Sequence, residues 1–138
     1  DIEPTHRLTR SGAQRILDAA RRKAEDLGVP QCIVVVDPGG HMLAMCRMDG
    51  AFIFSIDTAF RKAQTAAIYR EPTGNVAEGI DIRLAIATEG KRINLPGGLP
   101  IIVDGQCVGG IGVGSGTGAE DREVGNAGLA ALLGAKRF

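Results

Sequence analysis

The chain has no tryptophan, one tyrosine and four phenylalanines among its 138 residues. So few rings argue against a platform that stacks bases or sugars. Charge of one sign is not in excess either: sixteen Lys and Arg balance sixteen Asp and Glu, which removes the electrostatic footprint of a nucleic-acid binder. No apolar run approaches the roughly 18 residues of a membrane span. The expected partners therefore include neither nucleic acid nor membrane. Cysteine is sparse and odd in number, at Cys32, Cys46 and Cys107. That count and spacing fit neither a disulfide framework nor a zinc site, but small buried hydrophobes in a reducing compartment. The expected compartment is the cytoplasm, with an upstream processed leader left open because residue 1 is Asp. The two histidines, His6 and His41, lie far apart in sequence and form no metal-ligand pair, so no metal site is expected. Either one has the chemistry to ligate a haem iron.

What the chain has in excess is glycine, with 20 residues, about twice the average share of ~7%. The length predicts one domain over residues 1–138. Ala13, Ile16, Leu17, Ala20, Ala24 and Leu27 recur at helical spacing after a cap at Thr9 or Ser11, and Gly28 and Pro30 stop that helix. Cys32–Val36 reads as a buried strand, Asp37–Gly40 as a turn and Met42–Cys46 as the returning arm of a hairpin. A second helix follows through Ile53, Ile56, Ala59, Phe60, Ala63, Ala66 and Ala67 and ends before Pro72. A short helix is predicted over Asp81–Thr88 and a short strand over Ile93–Leu95. Pro100–Val103, Asp104-Gly105 and Gln106–Val113 form a second hairpin, whose glycine-rich arm predicts close approach of a backbone, a helix or a ligand. A last helix is predicted from Gly118 to Ala135, with its apolar end at Leu129–Leu133 covered by the core or a second subunit. The fold class is thus α/β in the α+β sense, a single antiparallel sheet with helices packed on it.

Four constellations could carry chemistry. Gly114–Ala119 matches G-x-G-x-x-A, but no strand follows the next helix, so a dinucleotide fold is a poor fit. Unpaired amides of Ser115, Gly116 and Thr117 at a helix start instead suit a carboxylate or phosphate, while a glycine turn with a Thr117–Glu120 capping box accounts for the same residues with no ligand. Arg47 could clamp a carboxylate or pair internally with Asp49. Lys62 and Thr65 share a face of the second helix, where a half-buried Lys could act as base or electrophile and a solvated one would do neither. His41 could serve as a base, without the G-x-S-x-G elbow of a triad.

Three blocks together, Cys32–Ala51, Ala59–Ala67 and Leu95–Leu129, resemble the GlcG/HbpS-like family, which includes haem-binding proteins and the C-terminal domain of PduO-type cobalamin adenosyltransferases. The resemblance spans residues 8 to 133 and departs from the family's usual V-S-G-G strand ending by placing Gly114 before Ser115. It implies an antiparallel sheet of about five strands, assembly into homo-oligomers, association with a catabolic pathway, and haem or corrinoid as cofactor in some members. It also directs attention to Arg47, Asp49, Lys62, Thr65, Gly97, Gly98, Gly112, Ser115, Gly116 and Asp121 as a shared ligand pocket. The leading expectation is an oligomeric protein that binds a tetrapyrrole or a small anionic molecule. A cofactor-free lyase, isomerase or tautomerase is the second, with Lys62, His41 or Asp121 as base and Arg47 as clamp. A non-catalytic accessory subunit is the third.

Overall fold

The computed structural model describes residues 1–138. Helix α1 (Arg10–Leu27) starts where the Thr9 hydroxyl accepts the Gly12 N–H at 3.0 Å, and it stops at Gly28, whose left-handed backbone returns its N–H to Ala24 and Glu25. Strands β1 (Cys32–Val36) and β2 (Met42–Arg47) form the first hairpin. The Asp37 carboxylate closes its turn by accepting the N–H groups of Gly39 and His41. Helix α2 (Ser55–Tyr69), helix α3 (Ile80–Ala87), the hairpin of β3 (Gly98–Val103) and β4 (Gln106–Gly114), and helix α4 (Gly118–Leu129) complete the chain. The sheet runs β2-β1-β4-β3 with every neighbouring pair antiparallel.

Strand periodicity divides the core into two layers. Ile33 and Val35 of β1 join Leu99, Ile101, Ile111 and Val113 against α1 and α4. Cys32, Val34 and Val36 face the other way, onto Ala59, Ala63 and Ala67 of α2. All five residues of β1 are consequently buried, each large aliphatic side chain contributing about 1.5–3 kcal/mol. On the α2 side, β4 presents Gly110, Gly112 and Gly114, and α2 lies directly on that bare strand. A Cβ on Gly110 would come within 3.1 Å of the Ala67 Cβ. The glycine arm is therefore a seat for a helix.

The sheet has four strands, not about five. Residues Ile93–Leu95 form no strand, because side chains have taken their ladder groups. The Thr65 hydroxyl accepts the Ile93 N–H at 3.0 Å, and the Thr73 hydroxyl donates to the Leu95 carbonyl. The last helix also ends earlier than the apolar run suggests, at Leu129 rather than Ala135. The following turn, with Gly134 left-handed, sends the tail back to β3, where Lys136 N–H donates to the Ile102 carbonyl at 2.9 Å and Val103 and Ala135 form a single bridge. Leu129 is buried, whereas Leu133 is fully exposed. No helix is long and apolar enough to cross a membrane.

Candidate functional site

Most of the residues singled out in the sequence converge beneath the turn from β4 to α4. Lys62 is buried in α2, and its ammonium donates to the Val113 carbonyl at 2.8 Å and to Asp121 Oδ2 at 3.0 Å. Asp121 is held in the first turns of α4, where the helix dipole favours its charge. Its other oxygen accepts from Gln31 Nε2 at 2.9 Å and from the Gly116 N–H at 3.0 Å. Burial holds the Asp121 carboxyl above the usual range, outweighing the attraction of Lys62 and the Gly116 hydrogen bond. Gly97 lies over the ammonium with φ 118°, and a Cβ there would come 2.7 Å from the Val113 carbonyl oxygen and 3.0 Å from Lys62 Nζ. Gly98 fits against the Lys62 backbone in the same way, and its N–H donates to the buried Thr73 hydroxyl at 2.8 Å.

The amides at the start of α4 are largely satisfied within the chain. Gly116 N–H goes to Asp121, Thr117 N–H to Glu120 Oε1 at 2.8 Å, and Glu120 N–H to the Thr117 hydroxyl at 3.2 Å. The Ser115 hydroxyl accepts the Phe52 N–H at 2.8 Å. None of the clefts in the structure is lined by Lys62, Asp121 or residues 112–118. Lys62, Asp121, Gly97, Gly98 and Gly116 thus form a polar joint between α2, the sheet and α4, with Gly112 packed beside it on the α2 backbone and Thr117 exposed at the start of α4.

The remaining predicted residues lie elsewhere. Arg47 and Asp49 are exposed at the end of β2, and neither enters an ion pair. His41 is exposed in the first hairpin turn, 3.4 Å from Asp37. Thr65 is buried one turn of α2 beyond Lys62 and fixes the segment carrying Lys91 and Arg92. Sequence reasoning missed Gln31, because a polar residue flanking a strand gives no periodic signal; its Oε1 has no partner. It missed equally the open clefts, which are built from residues distant in the chain.

Two of those clefts have a lining suited to small organic ligands. One, of about 280 Å³, lies where the lead-in to α1 meets the second hairpin and the tail, and its lining includes His6, Arg7, Leu8, Val103, Val108 and Leu132. The lead-in is docked there by the Leu8 N–H on the Val108 carbonyl and the His6 N–H on the Gln106 side chain. The other, of about 300 Å³, lies between the end of α2 and the turn after α3, lined by Ile68, Tyr69, Ala87, Thr88, Glu89, Lys91 and Arg92. No group of three or more His, Cys, Asp or Glu side chains lies together as a metal site. Burial pushes the thiols of Cys32, Cys46 and Cys107 up, which keeps them protonated and poor metal ligands.

A four-stranded antiparallel sheet, covered by α1 and α4 on one face and α2 on the other and locked by a Lys–Asp joint, defines a small α/β class of protein with its open clefts at the periphery. The chain belongs to the HbpS-like family: the model described as "Haem degrading protein HbpS-like" matches residues 8–130. It is similar to Protein GlcG of Escherichia coli K12, 36% identical over 107 residues that cover 77% of this chain and 80% of GlcG. Among solved structures it is similar to a double mutant of Streptomyces reticuli HbpS, with a TM-score of 0.84, 33% identity and coverage of 95% of this chain and 90% of that one. A structure described as a PduOC:heme complex matches with a TM-score of 0.87, 25% identity and coverage of 96% and 99% respectively.

Proposed function

We propose that the protein binds a small ligand, and that the ligand is haem, held in the cleft lined by His6. The observation that carries this reading is the chemistry of that lining. An imidazole is a common axial ligand of haem iron. Leu8, Val103, Val108 and Leu132 supply apolar walls, and Arg7 supplies a cation for a propionate. A corrinoid, whose periphery carries amides in place of carboxylates, would leave Arg7 without an ionic partner. The solved complex of PduOC with heme supports the same class. Haem is larger than the cleft, so it would stand partly outside it. When bound, it supplies an iron centre whose redox chemistry belongs to the cofactor; this chain's residues contribute the donor, the apolar enclosure and the counter-charge.

Titration of the purified protein with hemin should give a saturable Soret shift, lost in His6→Ala and retained in His41→Ala. A Soret response in His6→Ala equal to that of the wild type, or none in the wild type, would overturn the assignment.

The same reading takes the protein as a homo-oligomer with a role in a catabolic pathway. Supporting assembly, α3 buries none of its residues and exposes Ile82 and Ile86, which lie four apart on one face as an apolar ridge of the kind that marks interaction surfaces. Light scattering should show Ile82→Ser/Ile86→Ser at a lower mass than the wild type. An unchanged mass would remove α3 from the interface.

A further inference from the structure

The cleft at the end of α2 is distinct in lining and chemistry from the one assigned to haem. Its centre is Arg92, whose guanidinium carbon lies 3.7 Å from the centroid of the Tyr69 ring. Stacking of this kind fixes the plane of the fork and leaves its edge free to donate. Arg92 Nε is buried without an acceptor. Its one ion pair is a long one, 3.9 Å to the exposed Glu71. Lys91 beside it is exposed and in no ion pair. The hydroxyl of Thr88 is already committed, donating to the Leu84 carbonyl and accepting the Arg92 N–H. Among the lining side chains, only Glu89 offers a carboxylate, against the two cations. The cleft thus has hydrogen-bond donors in surplus, beside the apolar faces of Ile68 and Ala87.

Backbone geometry holds these donors in place. Thr65 and Thr88 together take the Lys91 carbonyl and the Arg92 and Ile93 N–H groups. The turn that leads into them is held by Glu89 at φ 56° followed by Gly90 at φ 78°. A non-glycine residue in the left-handed region is strained, and such positions gather at ligand-binding turns.

We propose that this cleft binds a small carboxylate with a flat or branched apolar body, the carboxylate on the terminal guanidinium nitrogens of Arg92 and on Lys91 and the body against Ile68 and Ala87. Arg92 presents the edge of a fork that suits two carboxylate oxygens. A volume of about 300 Å³ is at the lower end of small-molecule sites, enough for a single-ring or short branched acid. Thr65 acts as a positioning residue, through the backbone it grips. The proposal stands apart from the haem reading, since the two clefts share no lining residue.

The test is an NMR titration of the full chain, labelled with ¹⁵N, using sodium benzoate as probe and benzamide as the uncharged control at matched ionic strength. Benzoate should shift the Arg92 side-chain Nε–H and the backbone amides of residues 88–93 saturably, and benzamide should not. Arg92→Gln should weaken benzoate binding at least tenfold and Arg92→Lys severalfold, because a point charge cannot reproduce the fork. Lys91→Gln, at an exposed position, provides a variant whose folding is not in question and should weaken binding about threefold or more. The hemin response should persist in Lys91→Gln. Equal shifts with benzoate and benzamide, no saturable shift with benzoate, or unchanged benzoate affinity in Lys91→Gln and Arg92→Lys would overturn the site.

Discussion

Lys62→Met should destabilise the fold by about 3–5 kcal/mol, the usual cost of breaking a buried ion pair by removing one partner. Both side chains are almost wholly enclosed, at 6% and 4% exposure, so water cannot replace the missing charge. Asp121→Asn should cost a similar amount, since it leaves the Lys62 ammonium buried with only the Val113 carbonyl as a full partner. The double variant should lose less than the sum of the two, and the difference measured by urea denaturation is the coupling of the pair. The single Lys62 variant should also carry a pH signature. Burial already holds the Asp121 carboxyl above its ordinary value, and losing Lys62 removes the main opposing influence. A carboxyl raised in the folded state binds its proton more tightly there than in the unfolded chain. Its presence therefore lowers stability as pH rises from the ordinary carboxyl range through the raised folded value. The penalty of Lys62→Met should be smaller near pH 5 than at pH 7. Single-variant losses that simply add, or a penalty that grows on acidification, would contradict a buried ionic joint.

Gly112→Ala should be nearly as damaging, at about 3 kcal/mol, the upper end of overpacking losses. An added Cβ would lie 2.5 Å from the Ala63 nitrogen and closer still to the Ala59 carbonyl oxygen, both backbone atoms that cannot rotate aside. Thermal or urea unfolding would read the loss directly. A Gly112→Ala protein of unchanged stability that failed to bind ligand would mean that this glycine admits a ligand and not α2.

The architecture was largely legible because its signals are local. Thr9, Gly28 and the 3.6-residue spacing between them define α1, and Asp37–Gly40 and Asp104-Gly105 mark the two reversals. The strand predicted at Ile93–Leu95 failed because its competitors, Thr65 and Thr73, are not its neighbours in sequence. The end of α4 was misplaced because an apolar run does not say where the chain turns back; the Asn126 side chain, which bonds both backbone groups of Phe138, settles that. At the candidate site the family resemblance singled out Lys62, Asp121, Gly97 and Gly116 without revealing that they would face one another. Charge complementarity across 59 residues of sequence has no periodicity to betray it. Arg92 and Tyr69 were invisible for the same reason, being paired only by the path of the chain between α2 and β3.

Because α2 rests on β4 main chain to main chain, there is no cushion of rotatable groups between them. Rearrangement of the helix would have to drag β1 and β4 along, and close-packed interiors resist such shear. The two walls that carry Tyr69 and, through Thr65, Lys91 and Arg92 are therefore mounted on a stiff platform. Preorganisation of this kind spares a guest the entropy of ordering its host, and confines adaptation to the loose outer fringe of Glu71, Glu89 and the Lys91 side chain.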